Sequence, residues 1–346
     1  VFVIWFVSKL NWFEVWTEVR KADRGLLALA VILLAGTYVV RTLRWRELLL
    51  PDYKPSLTGL FRATTIGFTA LFLMGRAGEL IVRPALLSIK ERVHPSASYA
   101  TVMIERVFDM VTVVVLFAAD LAIFDLVTGD AEARQEFGAI KVSGLALFLL
   151  AVVGIYGLSV FRRRRAGALD YLERKLSHIQ PQRIGRGVMS LLRHISEGLA
   201  VLHDARGLAV TLSYTLLMWG MVIAVDVLVI RAFGITPEEV PISGVVFVMG
   251  LSMIGSAIPT PGGSAGPFHA ATAAALILLG IEKNKAGSVA IILHLVVFAP
   301  ATVFGVFFAV KDGISIARLL GGGGDAIAAK QTDPTEAPAA REVAQA

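Results

Sequence analysis

The chain has 346 residues, 56% hydrophobic and 17% charged, with 33 basic side chains against 27 acidic and no cysteine. Soluble domains are roughly 45–50% apolar and about 25% charged, so this composition excludes a cytosolic enzyme or a disordered adaptor and leaves a polytopic, all-α membrane protein. Disulfides, thiolate nucleophiles and cysteine-ligated zinc are excluded, and the +6 surplus forms no soluble basic patch, so nucleic acid is not an expected partner.

Val1 to Val7 is apolar but short of the roughly 20 residues a span needs, and reads as the end of a first helix that is truncated or starts elsewhere. The basic, apolar, small-residue order of a cleaved signal peptide is absent. Trp5, Trp12, Phe13 and Trp16 fit an interfacial aromatic belt. Spans are expected at Gly25 to Leu43, Ala97 to Phe124, Ile140 to Phe161, Gly207 to Phe233 and Ala286 to Val310. Weaker apolar stretches are Leu57 to Gly75, with Arg62 and three glycines, and Ile242 to Ile258 and Ser264 to Gly280, which flank a Pro/Gly turn. The expected architecture is about six full spans plus two broken or re-entrant helical hairpins around a central cavity.

Loop charge sets orientation, because cytoplasmic loops are enriched in Lys and Arg. Arg162 to Arg206 has ten basic and four acidic residues and reads as inside, as does Arg83 to Pro95 with three and one; Asp125 to Lys141, with two and four, reads as outside. Arg41, Arg44 and Arg46 mark the end of the Gly25 helix as cytoplasmic. Only Leu57 to Gly75 then separates two inside segments, and one crossing cannot begin and end on the same side. Leu57 to about Arg83 is therefore expected to be a re-entrant hairpin, which is tolerated only where it is buried in protein or lines a polar cavity. Residues 1–320 form the integral membrane domain, with a cytoplasmic amphipathic insertion at about 162–206. In that insertion Leu169, Leu172, Leu176 and Ile179 recur at helical spacing. Residues 321–346, opening with GGGG, read as a disordered cytoplasmic tail.

Intramembrane ionisable residues cost at least about 2.5–3.5 kcal/mol each and are functional hypotheses by default. Arg76, Gly78, Glu79 and Arg83 form one constellation: the three charged residues share a helix face, and a fork-shaped arginine beside a broken helix suits a lipid phosphate. Glu105, Arg106 and Asp109 read as a structural ion-pair network, with a phosphate-ready arginine as the competing reading. Pro261, Gly262 and Gly263 interrupt the second apolar stretch and would aim freed N–H groups at an anion. His269 and His294 lie in apolar helices and would shuttle protons, face an anionic head group or be satisfied core residues. Two histidines do not make a metal site, and with GxxxxGK[ST] and HExxH both absent no cofactor is expected. Asp120 and Asp226 are also intramembrane and have no partner nearby in sequence. Each half contains one broken element between full spans, as an inverted repeat would, but similarity between the halves is too weak to establish one.

Arg44-Trp45 with Leu48-Leu49, Arg76-x-Gly78-Glu79 with Arg83, Glu105-Arg106 with Asp109, the Pro261-Gly262-Gly263 turn, and Pro300 with Gly305 resemble, in order and spacing, the flippase-like family typified by the lysylphosphatidylglycerol synthase transmembrane region. The resemblance covers nearly all the chain except the tail. It implies a multi-pass protein of the bacterial inner membrane, C-terminus cytoplasmic, which moves a phospholipid or related lipid between leaflets. Anionic or aminoacylated phospholipids are the ligands it implies, and the soluble aminoacyl transferase domain of the best-known members is absent here. The chain departs from the family where His269 and His294 stand in place of a Glu and an Arg.

The leading expectation is thus a lipid translocator and not an enzyme. Arg76, Gly78, Glu79, Arg83, Pro261, Gly262, Gly263, His269 and His294 would line the lipid path. The alternatives are a membrane-embedded transferase acting on a lipid-linked substrate, using Glu79 with a histidine, and a scaffold for a separate lipid-modifying enzyme. A homodimer is compatible with either.

Overall fold

The computed structural model describes residues 8, 10–49, 53–123, 138, 142–146, 149, 205–258 and 260–314. The expected span at Ile140 to Phe161 falls mostly outside the described residues. The 162–206 insertion lies outside them but for its last two positions, and the 321–346 tail wholly so. Regular structure among the described residues is helical: α1 Trp12–Lys21, α2 Arg24–Leu49, α3 Leu57–Met74, α4 Arg76–Glu91, α5 Pro95–Ile123, α6 Ala205–Ala232, α7 Ile242–Ser256, α8 Pro261–Leu278 and α9 Lys283–Lys311. Helices α2, α3 and α9 and residues 206–232 of α6 are long and apolar enough to cross a bilayer. The 29 residues of α5 have the length, but Glu105, Arg106, Asp109 and Asp120 lie within it. The chain is a polytopic helical membrane protein.

The expected hairpin in the first half is present. Ser56 caps α3 by accepting from the Gly59 N–H, and its own N–H and hydroxyl donate to the Glu91 carboxylate at 2.8 and 2.7 Å, which closes the hairpin base where α4 ends. At the tip, Gly75 has φ 75° and ψ −168°, a conformation essentially confined to glycine. Between tip and base, Gly67 faces the stem of Arg83 and Gly78 faces the Ala70 carbonyl, so the two arms run antiparallel at backbone contact. Pro84 sits inside α4, and its carbonyl accepts from the hydroxyls of Ser88 and Ser98, the second of which ties α4 to α5.

A second hairpin occupies the second half. Ser252 and Thr272 share a hydrogen bond at 2.7 Å, Gly255 faces the Pro267 carbonyl, and the Ser264 hydroxyl donates to the Ser256 carbonyl at 3.0 Å, so α7 and α8 are also antiparallel. The chain breaks between them, and Gly262, Gly263 and Ser264 take left-handed φ of 77°, 65° and 62° before the helix resumes. The Pro/Gly run is thus a broken element, as its composition predicts.

The two halves repeat each other in opposite directions. Helices α2 and α6 pack antiparallel, from the Asp23 N–H donating to the Ala232 carbonyl at 2.8 Å to Arg44 beside Thr215. Each opens a half that continues as a hairpin and a second long helix. The hairpins cross over: α3 packs on α9, with Gly305 against Thr65 and Thr69, and α7 packs on α5, with Gly250 against Phe117. The interval from Phe117 to Gly305 equals that from Gly75 to Gly263, and Gly75-Arg76-Ala77-Gly78 matches Gly263-Ser264-Ala265-Gly266. The inverted repeat is therefore present in three dimensions.

Candidate functional site

Where the end of α2 meets α4 and α5, seven ionisable side chains form one network. Arg44, fully buried, forks onto Asp109 at 2.6 and 3.2 Å, turns Nε toward Glu105 at 3.4 Å and donates to the Thr215 hydroxyl at 3.1 Å. Arg83 pairs with the other oxygen of Glu105 and stands 3.7 Å from Glu79. Its guanidinium carbon lies 4.0 Å from the centroid of the Trp45 ring, whose N–H donates to the Thr101 hydroxyl at 2.9 Å. Arg106 bridges Glu79 at 3.3 Å and Asp109 at 3.2 Å. Arg41, one turn before Arg44, is 3.7 Å from Asp109 and lies over the Phe68 ring of α3 at 4.9 Å.

Helical spacing brings these groups together: Arg41 with Arg44, Glu79 with Arg83, and Arg106 with Asp109 each share a face. Removing such charges from water costs several kcal/mol per ion, recovered only when geometry and extra hydrogen bonds are good. Arg44 meets that condition through a bidentate pair and a hydroxyl, whereas Arg83, whose three nitrogens make no hydrogen bond, relies on its ion pair with Glu105 and the Trp45 face. The sum does not balance, however. Among the described residues, Arg41, Arg44, Arg83 and Arg106 face only Glu79, Glu105 and Asp109. The positive excess falls on the side chains nearest the open edge, Arg41 at 12% exposure and Arg106 at 26%. In both, Nε and the terminal nitrogen that faces the carboxylates make no hydrogen bond, nor do the three nitrogens of Arg83 in the interior.

The structure joins what the sequence reading had separated. Glu79 and Arg83 belong to the same network as Glu105, Arg106 and Asp109. Gly78 serves the contact between hairpin arms. Arg76 opens α4 beside the tip, and its side chain lies outside the described residues, as does that of Pro261. Arg41 and Arg44, read from sequence as orientation markers, are members of the network, Arg44 fully buried and Arg41 at its edge. Their one-turn spacing with Trp45 at the end of an apolar run was the available signal. Asp120 and Asp226 are buried away from this network.

In the second half, the His294 N–H donates to the Gly263 carbonyl at 3.3 Å, so the broken turn of α8 docks on α9. The His269 and His294 rings lie 4.6 Å apart, and Phe268, Phe298 and Phe72 from the α3 end of the first hairpin surround His294 at 5.3, 4.7 and 6.3 Å. An open groove of about 240 Å³ between α2 and α3 is lined by Val39, Thr42, Leu43, Leu57, Thr58 and Phe61.

A family model described as the lysylphosphatidylglycerol synthase TM region matches residues 1–305. A curated relative, the glycosyltransferase AglD of Haloferax volcanii, is 24% identical over 311 residues, covering 84% of this chain and 49% of the relative. The chain thus spans about half the length of that relative. No solved structure matches it.

Proposed function

The chain belongs to the family of the lysylphosphatidylglycerol synthase TM region, and from that premise we propose that it carries a lipid with an anionic head group between the leaflets of the bacterial inner membrane. One observation carries the reading: a buried network of four arginines against three carboxylates, with its surplus positive charge at Arg41 and Arg106. A phosphate placed there would balance the charge and accept from the unsatisfied N–H groups of both. The groove between α2 and α3 offers an apolar seat on the same two helices that hold Arg41 and Phe68. A head group held by fixed charges avoids most of the cost of entering hydrocarbon bare.

The network suits a carrier better than a catalyst. Arginine does not deprotonate in proteins, and each carboxylate is committed to at least two guanidinium groups. The test is head-group accessibility of labelled phospholipids in proteoliposomes, with anionic, zwitterionic and aminoacylated lipids compared. The chain should speed exchange of an anionic lipid, and Arg106→Gln or Arg41→Gln should slow it about tenfold or more, the worth of a charge-assisted hydrogen bond. Arg76→Ala and Glu79→Gln belong in the same series. Exchange no faster than in empty liposomes for every lipid would refute the reading.

A second reading rests on the relative named a glycosyltransferase: a membrane module that serves a separate transferase acting on a lipid-linked substrate. A new labelled product formed only when chain and enzyme are both present, with no lipid exchange by the chain alone, would favour it.

A further inference from the structure

The inverted repeat gives the Arg106 position a counterpart. The interval from Arg106 to His294 equals that from Gly75 to Gly263 and from Phe117 to Gly305, and the packing of α3 on α9 and of α7 on α5 makes α5 and α9 corresponding helices. Arg106 lies 11 residues into α5 and His294 11 residues into α9, each about 16 Å along its helix at 1.5 Å per residue. Glu79, the partner of Arg106, lies on the second arm of the first hairpin. His269 lies on the second arm of the second hairpin, within a turn of the corresponding place. In the first half hairpin and long helix meet through an ion pair at 3.3 Å; in the second they meet through two imidazoles 4.6 Å apart.

The imidazole pair sits among phenyl rings, where a charged ring is held only with an anion against it. Phe72 faces the pair from α3, Phe268 and the Gly263 carbonyl from α8, and Phe298 from α9, and the two rings face each other. Arg76, whose side chain is not described, starts the helix that follows the tip of the first hairpin. Imidazole changes charge near pH 6.5 when unperturbed. Two imidazolium rings this close repel unless an anion lies against them. The first-half network is positive at every physiological pH; the second-half pair becomes positive only on taking up a proton.

We propose that His269 and His294 form a second anion subsite in the lipid path, created by uptake of a proton from water and serving the phosphate of the same lipid that Arg41 and Arg106 hold. This rests on the carrier reading and adds its proton dependence. A lipid phosphate rests at the arginine subsite when the pair is neutral and gains an alternative position when it is protonated. Exchange between leaflets therefore rises as pH falls and levels off once the pair carries its proton.

Two measurements test this. The first is exchange of an anionic phospholipid in proteoliposomes at pH 5.5 to 8. We expect the wild-type rate to rise several-fold toward low pH and His269→Gln and His294→Gln to lose that rise. The double variant His269→Glu with His294→Arg, which puts a fixed pair where the imidazoles stood, should be flat with pH. A wild-type rise that persists in both glutamine variants overturns the proposal. The second measurement does not depend on transport: nitrogen NMR of labelled histidines in nanodiscs, with the two rings assigned by the glutamine variants. The pair should take up a proton in this range, at higher pH in phosphatidylglycerol than in phosphatidylcholine bilayers. Neither ring titrating in either bilayer, or a titration indifferent to lipid charge, also overturns it. If the wild type moves no lipid at any pH, the carrier reading fails, while the NMR result still decides whether the pair is a protonatable anion subsite.

Discussion

Replacing Arg44 by alanine leaves Asp109 and Glu105 in the interior without their best-aligned partner. Loss of one member of a buried pair costs about 3–5 kcal/mol, so Arg44→Ala should unfold at markedly lower temperature in detergent, with Arg44→Lys recovering little because an ammonium cannot fork onto the Asp109 oxygens at 2.6 and 3.2 Å. Arg106→Gln should cost less. Its side chain is 26% exposed, Asp109 keeps Arg44 and Glu79 keeps Arg83 at 3.7 Å, so the thermal loss should be smaller than for Arg44→Ala while anionic lipid exchange falls. Equal thermal losses in both variants would mean that Arg106 is structural too. The acidic members and Arg83 were legible in sequence because charge is rare within an apolar helix. Arg41 and Arg44 were not, because at the end of such a helix an arginine in the interior and one marking the cytoplasmic edge look alike in sequence, and only the approach of α5 makes the difference.

Helix bounds were largely legible: α3, α7 and α8 begin and end within about three residues of the apolar stretches that predict them, since Ser56, Gly75 and the Pro/Gly run are strong punctuation. The short helix α1, docked on α9 through Asn11 and Asn284, was not, because Trp12, Phe13 and Trp16 signalled only an interface. The hairpin tip yields a separate prediction. Gly75 combines φ 75° with ψ −168°, and an L-residue there is strained by about 1–3 kcal/mol, while an added Cβ would meet nothing within 4 Å. Gly75→Ala should therefore act on backbone alone. At Gly255 the φ permits alanine, but the new methyl would meet the Pro267 carbonyl and the Ala271 side chain, so Gly255→Ala should force α7 and α8 apart. Hydrogen exchange would separate the two: faster exchange confined to the tip for Gly75→Ala, and along both arms for Gly255→Ala. Identical patterns would argue against independent hairpins.

At the scale of the whole molecule, an inverted repeat lets the same contacts be made and broken on opposite faces, so what holds one face shut matters as much as the site. At the end of α9, Asp312 lies buried between Arg62 of α3 at 3.1 Å and Lys90 of α4, and so ties both arms of the first hairpin to the last long helix. Deeper along the same seam, the Thr69 hydroxyl donates to the Ala301 carbonyl at 3.0 Å. The basic partners are 28% and 35% exposed, so water screens the contacts and together they contribute about 1 kcal/mol. That is about fivefold in a two-state population. Asp312→Asn should shift the seam between α3 and α9 toward an open state by that factor. The chain contains no native cysteine, so Thr69→Cys supplies a single, otherwise buried reporter. Its reaction with a membrane-impermeant maleimide should be several-fold faster in the Asp312→Asn background, and high salt should speed the parent and leave the Asn variant nearly unchanged, because salt screens an exposed ion pair and not a packed seam. Equal rates in both backgrounds would show that packing of Gly305 against Thr65 and Thr69 closes this face by itself.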